Sequence, residues 1–278
     1  MRKVYSSSPL PFQGQKRRFL KQFKECLKSC NGSVYIDLFG GSGLLSHTVK
    51  TIFPDAHVVY NDFDGFSERI KAIPITNSIL NDLRDILKQY PRGKIVINEP
   101  RNEIIKLLES VDKNYGFVDY ITLSSSLLFS MNYVQSLSEM KKQSFYNCIK
   151  MTDYFAEGYL DGVEVVRYDY KELFKKYKDK YGVIFLVDPP YLSTDCSTYG
   201  GYWKLKDYLD VLNVLDGTDY FYFTSNKSNI IELCEWIETR PALFNPFTES
   251  EEYRFVTNTT HNTGYTDIMR FKYTSDNT

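Results

Sequence analysis

The stretch that decides the fold is Phe185–Leu192, "FLVDPPYL". Four apolar residues, counting from Ile184, run straight into a carboxylate, two prolines and a tyrosine. An unbroken apolar run of this length reads as a strand buried on both faces, as in a parallel sheet. Proline ends it, because it lacks an N–H for the ladder and keeps the residue before it extended. The tip Asp188-Pro189-Pro190-Tyr191 is therefore either a simple strand stop or a site built on one.

Working outward, other strands come with crossover helices. "SVYIDLFGGSG" (33–43) is a short apolar strand followed by a glycine loop and a helical pattern from Leu44 to Ile52. "HVVYNDFD" (57–64) is a second strand that ends in acids. Strand, helix and strand in this order predict a parallel sheet. Further strands are expected at 162–168, 182–188, 219–226 and 266–273, with helices at 204–215 and 228–238. From about 66 to 160 the pattern turns helical, with helices expected at 78–90, 101–112 and 137–156 and no strong strand. The expectation is an α/β sheet interrupted by a mostly helical insertion. Before the first strand, Phe19, Leu20, Phe23, Cys26, Leu27 and Cys30 recur at helical spacing over 15–30, with basic residues between them.

Composition narrows the function classes. The 278 residues carry a net charge of −1, so the chain is not a globally basic nucleic-acid binder. Residues 1–30 nonetheless hold eight Lys/Arg against Glu25, a local charge of +7 suited to phosphates. Five cysteines without a CxxC pair fit a reducing cytoplasm rather than a disulfide framework. No apolar run is long enough for a membrane span, and residues 1–19 lack the apolar core of a secretory signal. His47, His57 and His261 have no metal-ligand spacing, so no metal is expected.

The glycine loop Asp37-Leu38-Phe39-Gly40-Gly41-Ser42-Gly43 lies where nucleotide ligands rest on a backbone without Cβ atoms. A P-loop needs Lys and Ser/Thr after the last glycine, and Leu44-Leu45 stand there instead. A dinucleotide fingerprint starts at Gly41 and Gly43 but meets Ser46 at its last position. The pattern Asp37, Phe39, Gly41, Gly43 has the form of an S-adenosylmethionine (SAM) site. Asp62, 25 residues beyond Asp37, is placed to take ribose hydroxyls, because a carboxylate accepts two hydrogen bonds at once. Each feature also has a plain structural reading, as a tight turn or as a helix cap at Asp62 or Asp64.

The tip suits methyl transfer to an exocyclic amine. Such an amine is a poor nucleophile, because its lone pair is delocalised into the ring. Two acceptors aimed at its N–H bonds favour a tetrahedral nitrogen and free the lone pair. The Asp188 carboxylate and the Pro189 carbonyl, held rigid beside Pro190, are such acceptors, and Tyr191 is placed to stack on the base. The base must leave the duplex stack to be reached. No Pro-Cys nucleophile pair occurs, and Cys196 reads as a loop residue.

With these motifs in place, the chain resembles the Dam-like (D12 class) DNA adenine-N6 methyltransferases of bacteria and their phages, in the α-group motif order. The resemblance covers 1–65 and 160–275 and implies a Rossmann-like SAM-dependent methyltransferase sheet. The catalytic domain is then expected over 1–65 and 160–278, with a helical target-recognition insertion over 66–159. By that likeness Phe12 and Lys16, in Phe12-Gln13-Gly14-Gln15-Lys16, would touch the cofactor, and Asp169-Tyr170 would hold the adenine of SAM. Ser225-Asn226 resembles a structural feature of the family. Double-stranded DNA is the implied partner, with Arg17, Arg18, Lys21 and Lys24 toward phosphate. The hairpin R-x-N-x-x-G-x-F-N-x-P-x-G of GATC-specific members is missing, and "SSSLLFSMNYVQSLSEMKKQSFYN" (124–147) stands there instead. Asn132, Tyr133, Gln135, Lys141 and Lys142 are candidate DNA contacts within it. Cytosine-N4 methylation, an RNA substrate and a non-catalytic SAM-fold DNA-binding protein are the competing readings. Nothing in the sequence sets an oligomeric state, and a monomer is the simplest expectation.

Overall fold

The computed structural model of the chain describes residues 3–129, 132–190, 203–226, 230–239, 245–258 and 264–273. The chain forms two compact units. The first comprises residues 1–7, 14–64 and 158–278, and the second comprises 8–13 and 65–157.

The first unit holds α1 (Leu20–Leu27), β1 (Val34–Asp37), α2 (Leu44–Ile52) and β2 (His57–Asn61), then β5 (Glu164–Val166), α8 (Tyr170–Tyr177), β6 (Val183–Val187) and α9 (Leu205–Leu215). It ends with β7 (Asp219–Ser225), α10 (Ile230–Glu238), β8 (Glu251–Asn258) and β9 (Gly264–Lys272). Its seven strands lie in the order β5-β2-β1-β6-β7-β9-β8. The first five are parallel, and β9 runs antiparallel to both β7 and β8. This mixed α/β sheet, mostly parallel and covered by helices, has the expected Rossmann-like architecture. The central strand explains the opening stretch. Val183, Phe185 and Val187 of β6 enter one core with α8 and α9, whereas Ile184 and Leu186 enter another with α1 and α2. Side chains alternate across a strand, so a strand covered on both faces must be apolar at every position.

The connections leave β1 toward β2 on one side and join β6 to β7 on the other. That reversal makes the carboxyl ends of β1 and β6 a topological switch point, the place where ligands bind in open α/β sheets. Asp37 pairs with Leu186 in the register, so Asp37 and Asp188 end adjacent strands at the same edge.

Two differences from the sequence reading lie in the sheet. Strand β8 was not anticipated, because "EEYRFVTN" is charged and largely exposed. It is an edge strand, where charge guards against further pairing. The first helix is also shorter than 15–30, although its buried side chains Leu20, Phe23, Cys26 and Leu27 are the predicted ones.

The second unit holds α3 (Phe66–Lys71), α4 (Ile73–Ile86), β3 (Ile95–Val96), α5 (Asn98–Asn114), α6 (Tyr120–Leu127), α7 (Leu137–Lys141) and β4 (Phe145–Tyr146). Pro74 opens α4, where a missing N–H costs nothing. Helix α4 begins earlier than the expected 78–90, and α5 extends the expected 101–112 at both ends. The helix expected over 137–156 is wrong. Ser136 caps α7 by accepting from the Glu139 amide, but the helix stops at Lys141. Phe145–Tyr146 then pairs with Ile95–Val96 in a two-residue antiparallel ladder. Beyond it, side chains take the backbone groups a helix would need. Arg84 Nε donates to Lys150 O (3.0 Å), and the Tyr154 amide donates to Asn77 Oδ1 (2.9 Å).

A buried ion pair organises the start of this unit. Arg69 Nε donates to Asp119 Oδ1 (3.0 Å), and its Nη2 donates to Thr122 Oγ1 (3.1 Å) and to the Pro11 carbonyl (2.8 Å). Asp119 also caps α6 by accepting from the Thr122 amide. Phe12, the next residue, sets its ring edge-on to Phe66. Among the described residues, no helix is long and apolar enough to cross a membrane.

Candidate active site

The site begins where β1 stops. Asp37, wholly buried, accepts a hydrogen bond from Ser46 Oγ at 2.7 Å. Ser46 is the residue that spoiled the dinucleotide fingerprint, and here it serves the strand-end carboxylate. The other oxygen, Asp37 Oδ1, is buried without a hydrogen-bond partner among the described residues. Burial pushes the Asp37 carboxyl up to about 7. The Ser46 hydrogen bond opposes that rise, and the nearby Asp188 adds to it.

The glycine loop is shaped largely by its own neighbours. A Cβ on Gly40 would lie 2.1 Å from the Tyr60 ring and 2.8 Å from the Asn61 carbonyl, so only glycine fits. Gly41 and Gly43 both have positive φ, 49° and 70°, a region that favours glycine. The Tyr60 hydroxyl lies 2.7 Å from the Gly41 carbonyl and 3.0 Å from Asp62 Oδ1, so its one proton reaches either acceptor. Asn61 binds three backbone groups. Its Nδ2 donates to the Leu38 and Tyr168 carbonyls, and its Oδ1 accepts from the Tyr168 amide. It thereby ties the ends of β1, β2 and β5 together. Asp62 follows directly, buried at that junction, with its amide donating to the Val166 carbonyl.

On the α8 side, Asp169 caps the helix by accepting from the Lys171 amide at 2.8 Å. Tyr170, the first helical residue, stacks on Trp203 (centroids 5.7 Å apart, 24° between planes). Phe39 approaches both rings, at 4.8 Å and 5.5 Å. The structure therefore brings Phe39 of the glycine loop and Tyr170 together, and adds Trp203.

At the end of β6, Lys16 Nζ lies 2.6 Å from Asp188 Oδ2 and donates to the Gly14 carbonyl at 2.8 Å. Both side chains are mostly buried, at 9% and 17% exposure. Burial raises the Asp188 carboxyl above the usual range. The Lys16 charge and hydrogen bond pull it back, while Asp267 raises it. Lys16 is thus the group that favours an ionised Asp188 at this tip. Pro189 is buried and Pro190 half-buried beside it. Tyr191 and Cys196 lie outside the described residues, as does His261. Asn226, next to Ser225, pins β7 to β9. Its amide donates to the Thr266 carbonyl, and its Oδ1 accepts from the Thr266 amide.

The structure gathers Lys16, Asp37, Phe39, Gly41, Gly43, Asp62, Asp169, Tyr170 and Asp188 in the first unit, at or next to the strand ends. Phe12 belongs to the second unit. Gly40, Ser46, Tyr60, Asn61 and Trp203 were missed by the sequence reading. Gly40 and Asn61 stand inside quoted motifs, but their partners are distant in sequence. Of the expected DNA contacts, Arg17, Arg18 and Lys21 are exposed in the first unit. In the second unit Lys142 is exposed, Asn132 donates to Gln143 Oε1, and Lys141 pairs with Glu109 at 2.5 Å. Tyr133 is half-buried. Among the described residues, no cluster of His, Cys, Asp or Glu could hold a metal ion.

Comparison with known proteins bears on this geometry. The family model described as "D12 class N6 adenine-specific DNA methyltransferase" matches residues 12–212, from the aromatic-glycine-lysine element through α9. A Haemophilus influenzae (strain Rd) protein described as "Putative methyltransferase" is 38% identical over 247 residues, covering 85% of this chain and 82% of that protein.

Proposed function

Since the chain belongs to the D12 class N6 adenine-specific DNA methyltransferase family and is a methyltransferase, we propose that it transfers the methyl group of SAM to N6 of an adenine swung out of double-stranded DNA. The observation that carries this reading is the meeting of Asp188, Lys16 and the glycine loop at the carboxyl ends of adjacent strands.

The residues present suit SAM. Asp37 Oδ1 is a buried acceptor without a hydrogen-bond partner among the described residues, and it suits the ammonium of a methionyl group. Asp62 suits the ribose hydroxyls. Asp169, Tyr170 and Phe39 offer an acid and two rings to an adenine. Bound there, SAM would supply an electrophilic methyl group on a sulfonium.

The remaining work falls to the chain. Asp188 and the Pro189 carbonyl accept hydrogen bonds from the two N–H groups of the target amine, which frees its lone pair, and the surplus proton of the methylated nitrogen leaves to solvent by way of Asp188. Lys16 favours the ionised form of Asp188, which accepts at both oxygens, whereas protonation turns one of them into a donor. Tyr191 stacks on the base, a contact worth about 1–3 kcal/mol. Asp188 carries no bond to the base at any stage, so no covalent enzyme intermediate arises. The second unit is the target-recognition region, with Asn132, Tyr133 and Lys142 toward DNA. Lys141 would first have to leave Glu109. Arg17, Arg18 and Lys21 face phosphate from the first unit. Cys26, Cys30 and Cys148 are free thiols, which suits a reducing cytoplasm.

Modified bases mapped in DNA from a methylation-deficient host that expresses the chain test this reading. N6-methyladenine at a defined sequence is expected. N4-methylcytosine would replace adenine with the rival base, and unmodified DNA would return the chain to a binding role.

A further inference from the structure

The second unit carries a cluster of cations that the chemistry above does not use. Arg84 lies on α4, Arg92 in the turn beyond it, and Lys150 in the irregular segment after β4. All three converge on one short stretch of chain. Arg84 Nε donates to the Lys150 carbonyl (3.0 Å), Arg92 Nη1 to the Ile149 carbonyl, and Lys150 Nζ to the Asp153 carbonyl (3.0 Å).

Within ion-pair distance they meet one carboxylate, Asp153, whose Oδ1 is 2.8 Å from Arg84 Nη1. Arg92 and Lys150 have no ion-pair partner among the described residues. Arg84 Nη2 is buried, and no acceptor meets it among the described residues. Burial lowers the Lys150 ammonium, and the like charge of Arg84 lowers it further. Holding carbonyls does not by itself call for three charges, because neutral amides such as Asn77 and Asn147 hold the same unit's carbonyls at Tyr154 and Tyr90. Each cation also has more donors than the carbonyl it serves. Two large apolar side chains in the same segment, Met151 and Phe155, are about two-thirds exposed. Asp153 and the Tyr154 ring, 4.0 Å from Lys150 Nζ, offset the Lys150 charge in part. Among the described residues the three cations have one carboxylate, Asp153, in ion-pair distance, so Arg92 and Lys150 keep donors for a further anion.

We propose that Arg92 and Lys150, backed by the mostly buried charge of Arg84, form a binding site for the phosphodiester backbone of the DNA substrate, separate from Asn132, Tyr133, Lys141 and Lys142. The site rests on the DNA reading given above and adds an anchor to it. It contacts phosphate and carries no sequence information of its own. The cluster gathers on the stretch 137–156 that was expected to be helical, and its hydrogen bonds accompany the irregular backbone there. The carbonyls of 149, 150 and 153 are held by the side chains that present the charges.

The test is the salt dependence of binding to a labelled adenine-containing duplex, followed by anisotropy. Each phosphate contact contributes about 0.9 to the slope of log affinity against log salt. The double variant Arg92→Gln/Lys150→Gln should lose about 0.9 in slope for each contact removed, equally for unrelated duplex sequences. Arg92→Lys/Lys150→Arg should keep the slope. An unchanged slope in a Gln variant that melts at the wild-type temperature overturns the site. If the double variant fails to fold, Arg92→Gln alone, at an exposed position, carries the same test. Thermal stabilisation by inorganic phosphate that the Gln variant abolishes, with no change in slope, would assign the cluster to a small anion and overturn the DNA assignment. The absence of adenine methylation by the wild-type chain would instead refute the enzymatic reading, and it is measured independently of the slope.

Discussion

The strand ends of the first unit and the irregular segment of the second are held by different kinds of contact. At the strand ends, each group that matters stands in a short local motif, and β1 and β6 deliver Asp37 and Asp188 side by side through the register of one parallel pair. Side chains from far along the chain satisfy backbone groups at both places, Asn61 with Tyr168 at the strand ends among them, but in the irregular segment of the second unit they do so without a parallel strand register to order them. Arg69 reaches the Pro11 carbonyl, Asn147 reaches Tyr90, and Arg84 reaches Lys150. The first arrangement keeps chemistry in place while the surrounding chain varies. The second builds a particular surface from particular pairs, which suits the recognition role proposed for it.

Four substitutions probe this contrast, taken from the largest expected effect. Arg69→Ala strands the buried Asp119 carboxylate and frees the Pro11 carbonyl. Breaking one partner of a buried pair costs about 3–5 kcal/mol. Hydrogen exchange should show the second unit opening first, and a loss spread evenly over both units would blur the contrast. Lys16→Gln leaves Asp188 buried without its cation. Methyl transfer should fall about a hundredfold, within the range for one preorganised polar group. The acid limb of the rate profile should move to higher pH, because the Lys16 charge and hydrogen bond oppose the rise that burial imposes on Asp188. Loss of rate with no movement of that limb would reduce Lys16 to a packing role.

Gly40→Ala forces a methyl group into the Tyr60 ring. Overpacking of this kind costs about 1–3 kcal/mol, measurable by urea unfolding. An alanine variant as stable as wild type would show that the loop yields easily. At Asp37 the effect appears as a pH dependence. Its carboxyl is raised from about 3.8 to about 7, so the native state holds a proton that the unfolded chain has lost between those values. Stability contributed by that proton is present at low pH and is lost as pH rises toward 7, by up to about 1.4 kcal/mol per unit. Asp37→Asn removes this dependence. The stability of wild type relative to the variant should fall between pH 5 and pH 8, and a constant difference would mean that Asp37 is ionised throughout.

The same contrast explains what could be read in advance. Strand β6 and the glycine loop were legible because burial on both faces and backbone positions that demand glycine leave marks at single residues. Asp188 and Asp62 followed from their places after strands. The partners Ser46, Asn61 and Trp203 were not legible, since their roles depend on which distant strand end or ring folds beside them. In the second unit, residues 137–156 carry helical spacing, and nothing local shows that Arg84 and Asn77, more than sixty residues earlier, take their hydrogen bonds. Strand β8 was missed for a different reason. An edge strand carries charge and so lacks the apolar alternation by which strands are recognised.

The central claim is that the end of β6 performs methyl transfer to adenine. Its most direct test is the single-turnover rate of N6-methyladenine formation in duplex DNA by wild type and by Asp188→Ala, with SAM saturating and the fold checked by circular dichroism. The account predicts a fall of at least about 10²–10³-fold in a folded variant. A folded Asp188→Ala that methylates adenine at close to the wild-type rate would contradict it.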